Sequence, residues 1–333
     1  MGRPILNLIF RAPNKRSFSI EKVFNTLIPV FENSSSTKIV IVPERQVSVR
    51  KLLKNLLYLL RINKGIFHIT GDIHYCVFSF PAKKTILTIH DCVFLEGVAG
   101  IKKYILKKIW LDWPVRYVNI VTTISEKSKA EIIRHTRCDP GKIVVISNPL
   151  SETIVQSELN FNSDSPSILF IGTKPNKNLE NAIKGLEGIR CKLLIIGVLS
   201  EGQKILLQEA KIDYRSFVNL TDNEIAEKYC ECDFVLFPSY YEGFGLPIIE
   251  AQFSGRPIIT SNLSPLKEVA GDGACLVDPM DPDSIRKGIE KVIFDAAFRN
   301  HIIEAGLENV EKYKAGVIAN QYLNLYRKLQ DID

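Results

Sequence analysis

The sequence predicts an α/β chain of two doubly wound parallel sheets, and three features carry that expectation. Short apolar runs rich in β-branched residues alternate with helical patterns through both halves, the order that stacks helices on both faces of a parallel sheet. A polar stretch, residues 151–167, breaks the alternation with Ser, Asn and Asp and reads as a linker. The 333 residues are enough for two domains of ordinary size, expected at 1–150 and 151–315.

In the first half, strands are expected at 5–10, 38–42, 66–69, 85–90, 119–124 and 143–146, each short and apolar. Helical periodicity lies between them at 20–31, 47–60, about 101–113 and 126–135. The second half opens with a strand at 168–171, and the loop from Gly172 leads into a helix from Leu179 with Asn178 as its expected cap. A strand at 192–196 and a helix near 203–210 follow. Thr221-Asp-Asn-Glu224 is a capping box before a helix at 223–230. An apolar strand, 232–238, is stopped by Pro238. After a Gly-X-Gly turn, Pro247 suits the first helical position and Gly255 the position past the end. Expected last are a strand at 257–260, a short helix ended by Gly271, a helix at 282–296 and a final one at 315–329.

Composition narrows the class. Hydrophobic content of 46% with 24% charged residues is that of a soluble globular protein, and no apolar run approaches a membrane span. The opening residues hold too short an apolar segment for a signal peptide and read as a strand. Seven scattered cysteines, with only a C-x-C at Cys230 and Cys232, argue against a zinc site and for free thiols in a reducing cytoplasm. Charge is uneven. Residues 1–150 hold 24 Lys and Arg against 10 Asp and Glu, a net +14, and residues 151–333 hold 19 against 27, a net −8. The basic half is expected to meet something anionic.

Chemistry concentrates in Pro238-Ser-Tyr-Tyr-Glu-Gly-Phe-Gly-Leu-Pro-Ile-Ile-Glu250. Strand, glycine turn and helix follow in order, and a helix N-terminus offers free N–H groups to an anion. Glu250 is expected on the first helical turn, where a carboxylate can accept from the hydroxyls of a ribose. Taken alone, Glu250 would read as an acid complementing the helix dipole and Glu242 as a solvated loop residue. Their spacing around Gly243, Gly245 and Pro247 is what points to a nucleotide. Lys177, in the loop after the 168–171 strand, is placed to reach phosphate oxygens. His90 and Asp91 end the 85–90 strand, where a parallel sheet opens onto its ligand crevice. A histidine satisfied by backbone is the alternative there, and His68 and His74 are weaker candidates. Ser125 is expected chiefly as a helix N-cap.

The run Glu242-Gly-Phe-Gly-Leu-Pro-Ile-Ile-Glu250, followed by Ala251 and by Gly255-Arg-Pro-Ile-Ile-Thr-Ser261, resembles the E-x7-E signature of retaining glycosyltransferases of family 4. The resemblance implies the GT-B fold, two Rossmann-like domains facing across a central cleft. It also implies that a last helix, about 316–333, packs back on the first domain. The first domain would take the acceptor and the second the nucleotide sugar. By the same resemblance, Glu250 would bind ribose, Glu242 would lie near the sugar, and the backbone of Phe244, Gly245 and Leu246 would contact sugar and phosphate. Lys177 matches the family's diphosphate lysine. Thr173, beside Gly172, stands where an arginine is usual, with Lys174 one further on. His90-Asp91 matches a pair found in mannosyltransferase-like members, its histidine on the donor sugar. Departing from the pattern, Phe10 to Ser19 lacks the glycine pair that often follows the first strand, leaving Lys15 or Arg16 as possible substitutes.

The reaction so implied is sugar transfer with retention by same-face attack, from a nucleoside diphosphate sugar to a saccharide or lipid-linked acceptor, without cofactor or bound metal. Alternatives are a nucleotide-sugar epimerase and a catalytically silent nucleotide-sugar-binding subunit. A dehydrogenase is disfavoured because no G-x-G-x-x-G follows the first strand, and no nucleic-acid motif is visible. Residues 102–113 mix Lys102, Lys103, Lys107 and Lys108 with Trp110 and Trp113, a composition suited to an anionic membrane surface. Residues 51–61 are similar. A cytoplasmic protein, peripheral on the inner face of the membrane, is therefore expected.

Overall fold

The structure is a computed structural model, and it describes residues 3–13, 19–45 and 48–330. The chain divides into two compact units, residues 1–149 with 315–333, and residues 150–314. In the first, β1 (Ile5–Phe10), α1 (Ser19–Ser34), β2 (Ser36–Ile41), α2 (Val49–Leu59), β3 (Ile66–Ile69) and β4 (Thr85–Ile89) are followed by α3 (Gly100–Lys107), α4 (Trp113–Tyr117), β5 (Ile120–Thr123), α5 (Glu126–Thr136) and β6 (Ile143–Val145). The six strands form one all-parallel sheet in the order β2-β1-β3-β4-β5-β6.

The two-residue period of β1 splits its side chains between two cores. Leu6, Leu8 and Phe10 enter one hydrophobic cluster and Ile9 the other. Ser125 does cap α5, its hydroxyl accepting from the Ser128 N–H at 3.1 Å.

The helix expected at about 101–113 is not one helix. After α3 the chain makes a π turn, Lys108–Asp112, and resumes as α4. The turn brings Lys107 and Lys108 onto the same carboxylate, Asp112, at 2.9 and 2.8 Å. Burial pulls that carboxyl up, and the two ammonium groups outweigh it and hold the pKa below its ordinary value.

The second unit runs β7 (Ser167–Ile171), α6 (Leu179–Leu186), β8 (Lys192–Ile196), α7 (Glu201–Glu209), β9 (Asp213–Phe217), α8 (Asp222–Glu231), β10 (Phe234–Phe237), α9 (Leu246–Phe253), β11 (Ile258–Ser261), α10 (Leu266–Ala270), β12 (Cys275–Val277), α11 (Pro282–Phe294) and α12 (Ala296–Val310). Its sheet is also six-stranded and parallel, in the order β12-β11-β10-β7-β8-β9. Counted from β7 this is 6-5-4-1-2-3, the strand order of dinucleotide-binding sheets, with its topological switch point between β7 and β10. The capping box is formed: Thr221 and Glu224 exchange side-chain and backbone hydrogen bonds at the start of α8.

The last helix, α13 (Ala315–Gln330), belongs to the first unit. It buries Ile318, Tyr322, Leu325, Tyr326 and Leu329 against β1, β3 and α1. Its Tyr326 hydroxyl meets buried His68 Nδ1 at 2.7 Å, and His68 Nε2 meets Thr88 at 2.6 Å. No described helix is long and apolar enough to cross a membrane.

Candidate functional site

The second unit gathers its polar groups at the switch point, where the loops after β7 and β10 diverge. The loop after β7 leaves through Gly172, whose φ of +89° puts it in the region that favours glycine; a Cβ there would lie 2.9 Å from the Lys177 side chain. This close approach lets Lys177 fold back over the sheet end. Its ammonium lies 4.8 Å from the Phe237 ring centroid and donates to Glu242 Oε1 at 2.6 Å. Both side chains are largely shielded, at 19% and 16% exposed. The lysine of one loop and the first glutamate of the other are thus one ion pair.

Asn178 does not cap α6 through its side chain. It sits in the left-handed region, with φ of 66°, and its side-chain amide instead donates to the carbonyls of Pro238 and Pro279 at 2.9 and 2.7 Å. The exit of β10 is thereby fixed to the neighbouring loops. Asn176 adds a second tie, donating to the Tyr241 carbonyl at 3.0 Å, while its own carbonyl accepts from the Tyr240 N–H at 2.8 Å. Thr173 turns its hydroxyl to the Val198 carbonyl at 2.6 Å. That geometry joins the loops after β7 and β8, and Lys174 next to it is exposed.

After Glu242 the chain turns through Gly245, φ +112°, where a Cβ would lie 2.6 Å from Leu266. Phe244 is buried against Tyr313, its ring centroid 5.6 Å away and edge-on. Helix α9 then begins at Leu246, with Pro247 in its first turn. Glu250 is the fifth residue of α9 and so lies beyond the first turn expected for it. Its carboxylate accepts from the Tyr229 hydroxyl at 2.7 Å. Burial and the adjacent charge push the Tyr229 pKa well up, so Tyr229 stays protonated and donates. Nothing in the sequence of α8 marks Tyr229 out, because its partner lies 21 residues away on another helix.

The first unit has its own polar cluster, at the ends of β1, β3 and β4. Arg11 bonds Glu21 at 2.6 Å and pairs with Asp72. Asp72 is left-handed, with φ of 51°, and follows Gly71, where a Cβ would lie 2.9 Å from the His90 ring. His90 Nε2 lies 2.9 Å from the Thr70 carbonyl. Burial lowers the His90 pKa, so the ring is neutral near pH 7, Nε2–H donates to Thr70 and Nδ1 is the acceptor. Asp91 accepts from the Val93 N–H at 3.0 Å, and burial raises its pKa.

His74 is occupied by the Trp110 carbonyl at 2.5 Å, and burial lowers its pKa as it does that of His68. Both are packing residues. Lys15 and Arg16 lie outside the described residues. Arg11 and Asp72 carry no local sequence signal: no glycine follows the first strand to mark Arg11, and a Gly-Asp pair alone reads as a turn. Among the described residues no group of three or more His, Cys, Asp or Glu is arranged to hold a metal ion.

Residues 151–309 match the family model described as glycosyl transferases group 1. The O-antigen chain mannosyltransferase B of Escherichia coli is 28% identical over 244 residues, covering 63% of this chain and 61% of that protein's own length. Among solved structures, sucrose-phosphate synthase from Thermosynechococcus elongatus superposes with a TM-score of 0.76 at 17% identity, over 99% of this chain and 100% of that one. Anabaena HepE, solved with UDP and glucose, superposes at 0.77 with 13% identity, over 98% and 100%. The chain therefore has the fold of GT-B glycosyltransferases, two Rossmann-like domains, and over residues 151–309 it is similar to the glycosyl transferases of group 1.

Proposed function

We propose that this protein is a retaining glycosyltransferase. It moves a sugar, mannose-like, from a nucleoside diphosphate to a saccharide or lipid-linked acceptor in polysaccharide synthesis. The Lys177–Glu242 ion pair at the β7/β10 switch point is the observation that carries this reading, with Glu250 held by Tyr229 on the helix that follows. Similar proteins support it: mannosyltransferases of O-antigen chains among the sequences, and a protein solved with UDP and glucose among the folds.

In this reading the diphosphate takes Lys177 and the N–H groups at Phe244–Leu246, and Glu250 accepts from the ribose hydroxyls. Charge developing on the departing diphosphate is met by the Lys177 ammonium and by a helix N-terminus fixed beforehand. As Lys177 turns to phosphate, Glu242 is released to position and stabilise the sugar. In the first unit His90 offers Nδ1 to a sugar hydroxyl, and Asp91 orders the turn beside it. No metal or other cofactor is assigned a role. The acceptor side is assigned to the first unit, whose basic face is proposed to lie on the inner surface of an anionic membrane.

The test is a calorimetric panel of UDP, GDP and their sugars, repeated with Glu250→Ala. The expected result is one preferred nucleotide, weakened by about 1.5–3 kcal/mol in the variant, as for a hydrogen-bonded pair involving a charged group. An unchanged dissociation constant in the variant would remove Glu250 from the site.

A further inference from the structure

A cavity of about 290 Å³ opens in the first unit beside the Arg11–Asp72 ion pair. That volume is near the lower end for small-ligand sites, roughly 300 Å³. Leu52 of α2, Leu106 of α3 and the rings of Tyr75 and Trp110 line it on the apolar side. Both rings are held in place: the Tyr75 hydroxyl accepts from Asn55 at 2.7 Å, and Trp110 Nε1 donates to the Asp72 carbonyl at 2.9 Å. The charged lining is Arg11, Arg45 and Asp72. Arg11 is engaged by Glu21 and Asp72, so the guanidinium offered to a ligand is that of exposed Arg45.

The helices that flank this cavity carry the same combination outward. Val49, Leu53 and Leu57 form an exposed stripe on α2, and Ile101, Tyr104 and Ile105 one on α3. Neither helix contains an acidic residue, while α2 has Arg50, Lys51 and Lys54, the two lysines facing Glu44, and α3 has Lys102, Lys103 and Lys107, the last paired with Asp112. A lining that combines apolar side chains with a guanidinium suits an apolar chain carrying a phosphate, which Arg can grip with two parallel hydrogen bonds.

We propose that this cavity binds the phosphate-bearing end of an amphiphilic acceptor, with the phosphate on Arg45 and the first carbons of the chain between Leu52 and Leu106. The inference rests on the glycosyltransferase reading above and names its acceptor class.

The experiment titrates the full chain calorimetrically with geranyl phosphate, geraniol and inorganic phosphate. Geranyl phosphate is expected to bind more tightly than either fragment. Arg45→Ala is expected to weaken it about tenfold, the worth of a charge-assisted hydrogen bond, and Arg45→Lys to recover part of that loss. A second arm separates the sources of phosphate, using phosphatidylcholine vesicles containing either a polyprenyl phosphate or phosphatidylglycerol at matched charge. Arg45-dependent binding is expected only with the polyprenyl phosphate. No binding of geranyl phosphate, binding indifferent to Arg45, or equal dependence on Arg45 with phosphatidylglycerol would overturn the assignment. UDP and GDP binding is expected to be unchanged in Arg45→Ala, so failure of the donor reading appears separately, as absent nucleotide binding in the wild type.

Discussion

At the scale of single residues, the site depends on which group holds each carboxylate. Glu250 is oriented by Tyr229, a buried phenol that donates at 2.7 Å. Tyr229→Phe removes that donor and leaves the ring, so the KM for the nucleotide sugar is expected to rise roughly ten- to hundredfold, one hydrogen bond to a charge. The kcat and the thermal midpoint should stay near wild type; a variant that lost kcat at unchanged KM would contradict a positioning role. Glu242 and Glu250 were legible from their spacing around two glycines, because a strand–turn–helix is a local pattern. Tyr229, Arg11 and Asp72 were not, because each is defined by a partner distant in the chain. Of the two tryptophans expected at a membrane surface, Trp113 is exposed, but Trp110 is buried with its N–H on Asp72. Two of the four lysines are spent on Asp112.

At the scale of elements, the turn into α9 and the docking of α13 are the most sensitive points. Gly245→Ala places a side chain at φ +112°, 2.6 Å from Leu266. It should cost at least about 1 kcal/mol in denaturant unfolding and weaken nucleotide binding together with it. Burial, with a smaller push from His90, lowers the His68 pKa to about 3 from the ordinary 6.5. The stability that neutral His68 contributes is therefore fully present above pH 6.5 and lost as the pH falls toward about 3. Urea unfolding free energies measured down this range should fall more steeply for the wild type than for His68→Gln, and parallel slopes would refute the assignment. Most central strands were legible as apolar β-branched runs. The edge strands β9 and β12 were not: β9 is Asp-Tyr-Arg-Ser-Phe with mostly exposed side chains, and β12 has only three residues. Helix α12 was missed because its buried positions are sparse, Ile302, Gly306 and Val310, and Asp295 caps it where the sequence reads as a continuing helix.

At the scale of the molecule, two sheets of the same architecture carry different charge. The basic first half presents α2 and α3 with apolar stripes and no acidic residue of their own, so co-sedimentation with anionic liposomes is expected at low salt. It should weaken with rising salt and with Leu57→Glu on the exposed stripe. Retention on neutral vesicles equal to that on anionic ones would contradict the electrostatic part. The second unit is expected to act as the nucleotide carrier. Hydrogen–deuterium exchange with and without the preferred nucleoside diphosphate tests that claim most directly. Protection is predicted at residues 172–178 and 238–250, the two loops joined by Lys177 and Glu242. Protection absent from both segments while the nucleotide is bound would contradict it.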